Sequence, residues 1–482
     1  MIRTHYAPTH LAAAALAGLS IAAFAGPPTP PPPIKPVEEP LLSFFDGKVV
    51  FDVQERVRWE IRENNFDFND EIRSLTDDNW VLQRFRLGLM LKPTDWLKIY
   101  AQTQDSREWL SDRADIPNTL GAEGDDPFDL RQAYIEIGNT KDIPWGIKVG
   151  RQILSYGDER LIGAFDWNNI GRTFDAVKLS YKTPTWWVDA FASTVAVPHR
   201  EGYNQSDFLN GNETGREQVF SGIYFSTSAL DFQTTDLYAL HLHEEQAVTS
   251  TNFVTLGLRL KSKPGYFADA APAGYAKDGK TMLPPAPPKP VGFDYDAEFA
   301  FQTGEVRDLD LTAFAAHVGI GYTFDSSWLP RIGVAYNYGS GDGDPTDTDI
   351  ETFQNLFPTN HKFYGQMDVF SWQNMHDIEV NFKFSPVKKV NVKAEYHAFF
   401  LASTDDVWYR ANGSTAVRPL SGAARGASNY AGSEVDLTVN YAATKWLTFE
   451  AGYSHFFAGD YLADTGASDD ADFGYVQAIV TF

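Results

Sequence analysis

The chain has 482 residues, 14% of them aromatic, no cysteine and a formal charge of −24. Without cysteine there are no disulfides, no thiol catalysis and no zinc–thiolate site, and a net negative field repels nucleic acid. Mean hydropathy is negative and no long apolar run follows Ala25, which excludes a bundle of transmembrane helices and leaves a closed barrel as the way to span a bilayer.

Taken in chain order, residues 1–25 read as a signal peptide. Arg3 gives the positive start, an apolar stretch follows, and Ala23-Phe24-Ala25 supplies the small-x-small cleavage pattern, so the mature chain is expected to begin near Gly26. Residues 26–46 are Pro-rich, lack most backbone donors and read as a stiff periplasmic tether. From residue 47 to 482 the expectation is an all-β, transmembrane antiparallel barrel.

The first barrel segment shows why. Val49, Phe51, Val53, Val57, Trp59 and Ile61 alternate with Asp52, Gln54, Arg56, Arg58, Glu60 and Arg62, so one face is oily and the other ionic. Phe85, Leu87, Leu89 and Leu91 against Arg84 and Arg86 repeat the pattern, as do Val390, Val392 and Ala394 against Lys393 and Glu395. About eighteen such segments are expected, near 48–62, 80–92, 95–108, 128–138, 145–155, 173–182, 185–197, 218–227, 233–245, 252–262, 291–303, 309–324, 330–340, 373–385, 388–402, 430–443, 446–457 and 473–482.

The connections alternate in length. Short turns such as Pro93-Thr94-Asp95 and Ala443-Thr444-Lys445 belong on the periplasmic rim, and mostly longer polar stretches at 156–172, 341–372 and 403–429 on the extracellular one. Trp96, Trp145, Trp186, Trp328 and Trp446 sit beside short turns, where an interfacial girdle needs them. Residues 263–290 fall on the short-turn rim yet are long and Pro-rich, so they are expected to be a disordered insertion.

Leu130-Arg131-Gln132-Ala133-Tyr134, Val149-Gly150-Arg151-Gln152, Tyr156-Gly157-Asp158-Glu159-Arg160-Leu161-Ile162-Gly163 and Trp167-Asn168-Asn169-Ile170-Gly171-Arg172-Thr173-Phe174-Asp175 resemble, in that order, the alginate export family of outer-membrane proteins. The resemblance implies a monomeric barrel of eighteen strands in the bacterial outer membrane. It also implies a pore narrowed by inward loops and lined by arginines, through which an anionic polysaccharide such as alginate leaves the periplasm. The closing Phe482 resembles the terminal aromatic by which the barrel-assembly machinery recognises such proteins.

Passage of a polyanion needs cations spaced along a wetted track, because a guanidinium can grip a carboxylate with two hydrogen bonds and hand it on. The candidates are Arg56, Arg58, Arg62, Arg84, Arg86, Lys98, Lys148 and Lys178 on the inward phase, with Arg151, Arg160 and Arg172 in or beside the family-like block, expected to project from its inward loop. The alternative is that they pair with Glu60, Glu136, Asp158 and Glu159 and only stiffen the wall. The opposite wall is expected to be acidic, with Asp294, Asp296, Glu298, Asp377, Glu379, Glu395, Glu434, Asp436 and Glu450. A transverse field of that kind also suits a general porin.

The loop Asp342-Gly343-Asp344-Pro345-Thr346-Asp347-Thr348-Asp349 lacks EF-hand spacing and reads as solvated acid. His241 and His243 without a third ligand are a weak zinc signal and read as lumen polarity. No catalytic group, metal or cofactor is expected, and the chain reads as a passive channel rather than an enzyme.

Overall fold

The computed structural model describes residues 42–482 apart from 72–76, 112–124, 199–201, 207–216, 247, 264, 267–289, 415 and 419–425. The expected signal peptide, most of the expected tether and the body of the 263–290 segment lie outside the described residues.

The wall strands are β1 (Val49–Glu63), β2 (Asp78–Thr94), β3 (Leu97–Trp109), β4 (Asp126–Gly138), β5 (Trp145–Gln152) and β6 (Phe174–Lys182). They continue as β7 (Trp186–Val195), β8 (Glu217–Thr227), β9 (Gln233–Glu245), β10 (Ser250–Ser262), β11 (Gly292–Val306) and β12 (Leu309–Thr323). The circuit ends with β13 (Arg331–Gly339), β14 (Met375–Phe384), β15 (Val390–Leu401), β16 (Tyr430–Ala442), β17 (Leu447–Ala458) and β18 (Ala471–Thr481). Each pairs antiparallel with its sequence neighbours, and β1 pairs with β18 from Gln54↔Thr481 to Glu63↔Asp472, so among the described residues eighteen strands close without a free edge. Closure matters because an unpaired strand edge facing hydrocarbon would leave its backbone groups without partners.

Alternation decides which side chain meets which solvent. On β1, Arg58 is 0% exposed inside the barrel while its neighbour Trp59 is 43% exposed on the outside. Ile223, Leu256, Val318 and Leu437 repeat the outward phase around the circuit. Trp96, Trp145, Trp328 and Trp446 are exposed at the turn-side rim, and Trp186 is half-buried there. At the seam, Phe482 stacks on Trp446 at 5.8 Å and exchanges backbone hydrogen bonds with Val53.

Not every extracellular connection is long. Arg307 and Asp308 alone join β11 to β12, both at positive φ (52° and 65°), which is the backbone of a two-residue hairpin turn matched to strand twist.

The buried apolar residues belong largely to the loops and the strand ends they cover. Leu154, Leu161, Ile162, Phe353, Phe357 and Trp372 form a dry cluster inside the lumen. The same cluster continues through the aromatic rings of Phe68, Phe370, Phe399, Trp408 and Phe456, with Phe370–Phe399 centroids 4.3 Å apart. The barrel is therefore a wall around an internal plug.

Candidate functional site

The plug begins with the segment 153–173 between β5 and β6. Its tip is a tight turn in which the Glu159 N–H donates to the Tyr156 carbonyl and the Tyr156 N–H to that of Ile162. Further on, the Asn168 side-chain oxygen accepts from the Ile170 and Gly171 N–H groups at 2.9 and 3.1 Å, a local turn that short polar side chains favour. Gly171 has φ +79°, and a Cβ there would lie 3.3 Å from Arg86 and 3.4 Å from Arg131. Glycine alone offers that backbone conformation with room for two guanidinium groups beside it.

Arginines of β1, β2 and β4 hold this segment. Arg56 donates to the carbonyls of Asp166 (2.8 Å) and Asn168 (3.1 Å), Arg58 to that of Trp167 (2.8 Å), and Arg84 to those of Asp166 and Asn168. The Asp166 carboxylate meets Arg86 at 2.7 Å, Arg84 at 3.2 Å and Arg131 at 3.8 Å. Burial alone would raise the Asp166 pKa, but Arg84, Arg86, Arg131 and Arg56 hold it well below the usual carboxylate range. The Arg58 guanidinium also lies 3.7 Å over the Trp167 ring and pairs with Glu60 at 2.5 Å.

A second inward segment, 340–374 between β13 and β14, locks onto the first. Ile162 and Phe357 form a parallel bridge, with Gly163 N–H donating to Phe357 O and Phe357 N–H to Leu161 O, both at 2.8 Å. Arg172 donates to the carbonyls of Gly163 and Pro358, and burial pushes its guanidinium down to about 10. Arg160 lies 4.0 Å over Phe363 and reaches toward Glu298 and Asp296 at 3.8 and 3.9 Å. Arg62 joins Glu60 to Asn65 and the Met367 carbonyl. These contacts make the two inward segments one packed unit.

The lysines sit lower, in the turn-side half of the lumen. Lys98 pairs with Glu136 at 3.4 Å, Lys178 with Asp189 at 3.0 Å, and the Lys148 ammonium lies 3.6 Å over Tyr134. On the far side Asp158, Arg160, Lys261, Asp296, Arg331, Lys362, Glu379, Lys383, Lys393 and Glu395 line a cavity of about 260 Å³ beneath the plug. Asp158 accepts from Arg259 and Lys261; burial raises its carboxyl, but these two cations hold it below its usual value. Much of the expected acidic wall is paired, as in Asp294–Arg331 at 2.6 Å and Asp296–His317 at 2.6 Å.

Three expectations are corrected. Arg151 does not project from the inward loop: it lies on β5 opposite Asp175, on the outward phase, since Phe174 and Ala176 are buried inside, and it pairs with Asp175 at 2.9 Å. His241 and His243 also face outward, because Leu240 and Glu244 take the inward positions of β9. The 342–349 loop is partly structural: Asp342 is buried, and Asp344 and Asp347 cap turn N–H groups.

Sequence reasoning missed Arg131 and Asp166. Strand β4 carries a register shift opposite Gln102 and Thr103, so Arg131 and Gln132 are both buried and simple alternation fails there. Asp166 was hidden because its partners are about eighty residues away in sequence, with |i−j| of 80 and 82. A loop carboxylate next to a Trp-Asn-Asn run, in a chain with an arginine wall, is the one cue available.

The alginate export family profile matches residues 49–476. No curated protein matches by sequence. Among solved structures, the Pseudomonas aeruginosa outer membrane protein OpdK superposes with a TM-score of 0.56 at 10% identity, covering 90% of this chain and 98% of that one. OprD of the same organism gives 0.54 at 12% identity, with 90% and 94% covered. OccK11 gives 0.55 at 11%, with 90% and 95% covered. These likenesses bear on the fold alone, whereas the profile spans nearly the whole wall, and the chain belongs to the alginate export family of bacterial outer-membrane β-barrels.

Proposed function

We propose that the barrel conducts an anionic polysaccharide, or oligomers of it, passively across the outer membrane. One observation carries the reading: three guanidinium groups, of Arg84, Arg86 and Arg131, meet the single carboxylate of Asp166. That leaves a surplus of positive charge where the plug meets the wall. Facing the lumen, such a surplus lowers the cost of drawing a carboxylated sugar out of bulk water.

Nearer the turn-side mouth, lysines keep contact with solvent. Lys98 is 28% exposed, Lys178 22%, Lys261 46% and Lys393 33%. In this reading they form the first ring that a polymer from the periplasm meets, Lys148 lies between them, and Arg58, Arg62, Arg160 and Arg172 support the plug. The protein works as a monomer without a catalytic step, in contact with the lipid bilayer, and the strand ending at Phe482 is its signal for the barrel-assembly machinery.

The carboxylates of Asp158, Asp296, Glu379 and Glu395 on the same cavity favour a second reading, a general diffusion porin. Single-channel recordings of a Lys98→Gln, Lys178→Gln, Lys261→Gln variant separate the two. Anionic transport requires block of the wild type by uronic-acid oligomers that the variant weakens, and a general porin is indifferent to those oligomers with or without the substitutions.

A further inference from the structure

One stretch of the lumen wall carries more carboxylate than its cations neutralise. The inward phase places Asp377 and Glu379 on β14, Glu395 and His397 on β15, and Glu434 and Asp436 on β16. The register sets Glu379 opposite His397, Glu395 opposite Asp436 and His397 opposite Glu434. Side chains directly opposite each other on one face have Cβ atoms about 5 Å apart, so these groups must converge. Lys393 pairs with Glu395, and Asn337 donates to Asp377.

Two features distinguish this cluster from an ordinary acidic wall. The Asp377 oxygens lie 3.0 and 3.2 Å from His397 Nδ1, which holds a proton on that nitrogen and turns Nε2 toward Asp436 Oδ2 at 3.9 Å. A carboxylate on one imidazole nitrogen is how proteins aim the other at a metal. In addition, Asp436 is 1% exposed and lies against the carboxylate of Glu434, 0% exposed, with the Ser454 hydroxyl as a further close polar neighbour. Two carboxylates buried side by side are costly until a cation joins them.

One donor atom each from Glu395, His397 and Asp436 lies within 4.8 Å of the others. We infer that Glu395, His397 and Asp436 bind one divalent transition-metal ion of the zinc(II) kind, with Asp377 as the positioning residue for the imidazole. One nitrogen and two carboxylate oxygens suit such an ion and leave a coordination position for water. Glu395 also lines the cavity under the plug, so the ion has a route from lumen water. Binding does not depend on which solute the barrel carries.

The test is calorimetric titration of zinc into the full barrel, purified in detergent and stripped with chelator. The expected result is one zinc per chain, weakened at least tenfold in Asp436→Asn and in His397→Ala. Loss of the orienting carboxylate in Asp377→Asn should cost roughly ten- to hundredfold. Heat-modifiable gel migration reports whether each variant is folded. Cobalt(II) added to the wild type gives a second readout through its visible absorption, which requires no variant. Absence of saturable zinc binding overturns the inference, as does binding that both Asp436→Asn and His397→Ala leave undiminished.

Discussion

Arg86 and Asp166 form the ion pair that ties the barrel wall to its plug, Nη1 to Oδ1 at 2.7 Å across eighty residues of sequence. Asp166 shares its other oxygen with Arg84, and its backbone carbonyl accepts from Arg56 and Arg84. The Asp166 carboxylate is thus the side chain of segment 153–173 on which Arg84, Arg86 and Arg131 converge.

Replacing that residue should loosen the plug. A hydrogen bond to a charged group is worth about 1.5–3 kcal/mol, and solvent contact at Asp166 reduces this to roughly 1–2 kcal/mol, or about tenfold in the population of the seated loop. Asp166→Ala is expected to show larger unitary conductance and frequent transitions between levels in planar bilayers. Conductance identical to wild type would mean that the carboxylate does not seat the loop.

The same carboxylate sets an acid response. Its folded pKa lies below the ordinary 3.8, so its contribution to seating is fully present above 3.8 and is lost as pH falls through the lowered value. Conductance should stay constant from neutral pH down to about 4 and rise only in stronger acid. Asp166→Asn, with no carboxylate to titrate, should lack that acid step.

Arg58 tests the wall itself. It is buried beside Glu60 and stacked on Trp167. Arg58→Leu would leave Glu60 its ion pair with Arg62, so the loss should fall below the ~3–5 kcal/mol of a fully broken buried pair. The temperature at which the folded gel band disappears should drop, and Glu60→Gln in the same chain should restore part of it.

The outward phase makes its own claim. Leu256 is exposed on the oily face of β10. Leu256→Arg is expected to cost up to ~2–4 kcal/mol, depending on depth in the bilayer, and to lower the yield of folded barrel in vesicles. Lys261 already carries a cation on the inward face of the same strand, 46% exposed to lumen water, so Lys261→Arg should leave that yield unchanged.

The strand wall was legible because a membrane imposes period two on each strand separately. The pattern of Val57, Trp59 and Ile61 against Arg56, Arg58 and Glu60 needs no knowledge of the rest of the chain, and the structure keeps it. Local irregularity is where the reading failed. The bulge in β4 buries Arg131 beside Gln132, whereas the expectation that put Arg151 with the inward loop overlooks the unbroken alternation that turns it outward from inward Lys148. The plug was illegible for a different reason. The arginine partners in segment 153–173 are mainly backbone carbonyls, which every residue possesses, so side-chain identities carry no trace of the pairing. For the same reason an inward arginine could be recognised, but not its engagement with a loop. His397 and Asp436 belong to different strands, and only the register between them brings them together.

The most direct measurement is single-channel current through the wild-type barrel with uronic-acid oligomers added on the turn side, beside neutral oligomers of equal length. On the proposed reading, the arginines around Asp166 and the lysines of the turn-side mouth produce concentration-dependent block by the charged oligomers, stronger than by the neutral ones and relieved by salt. Equal indifference to both, in a channel that prefers cations, would contradict it.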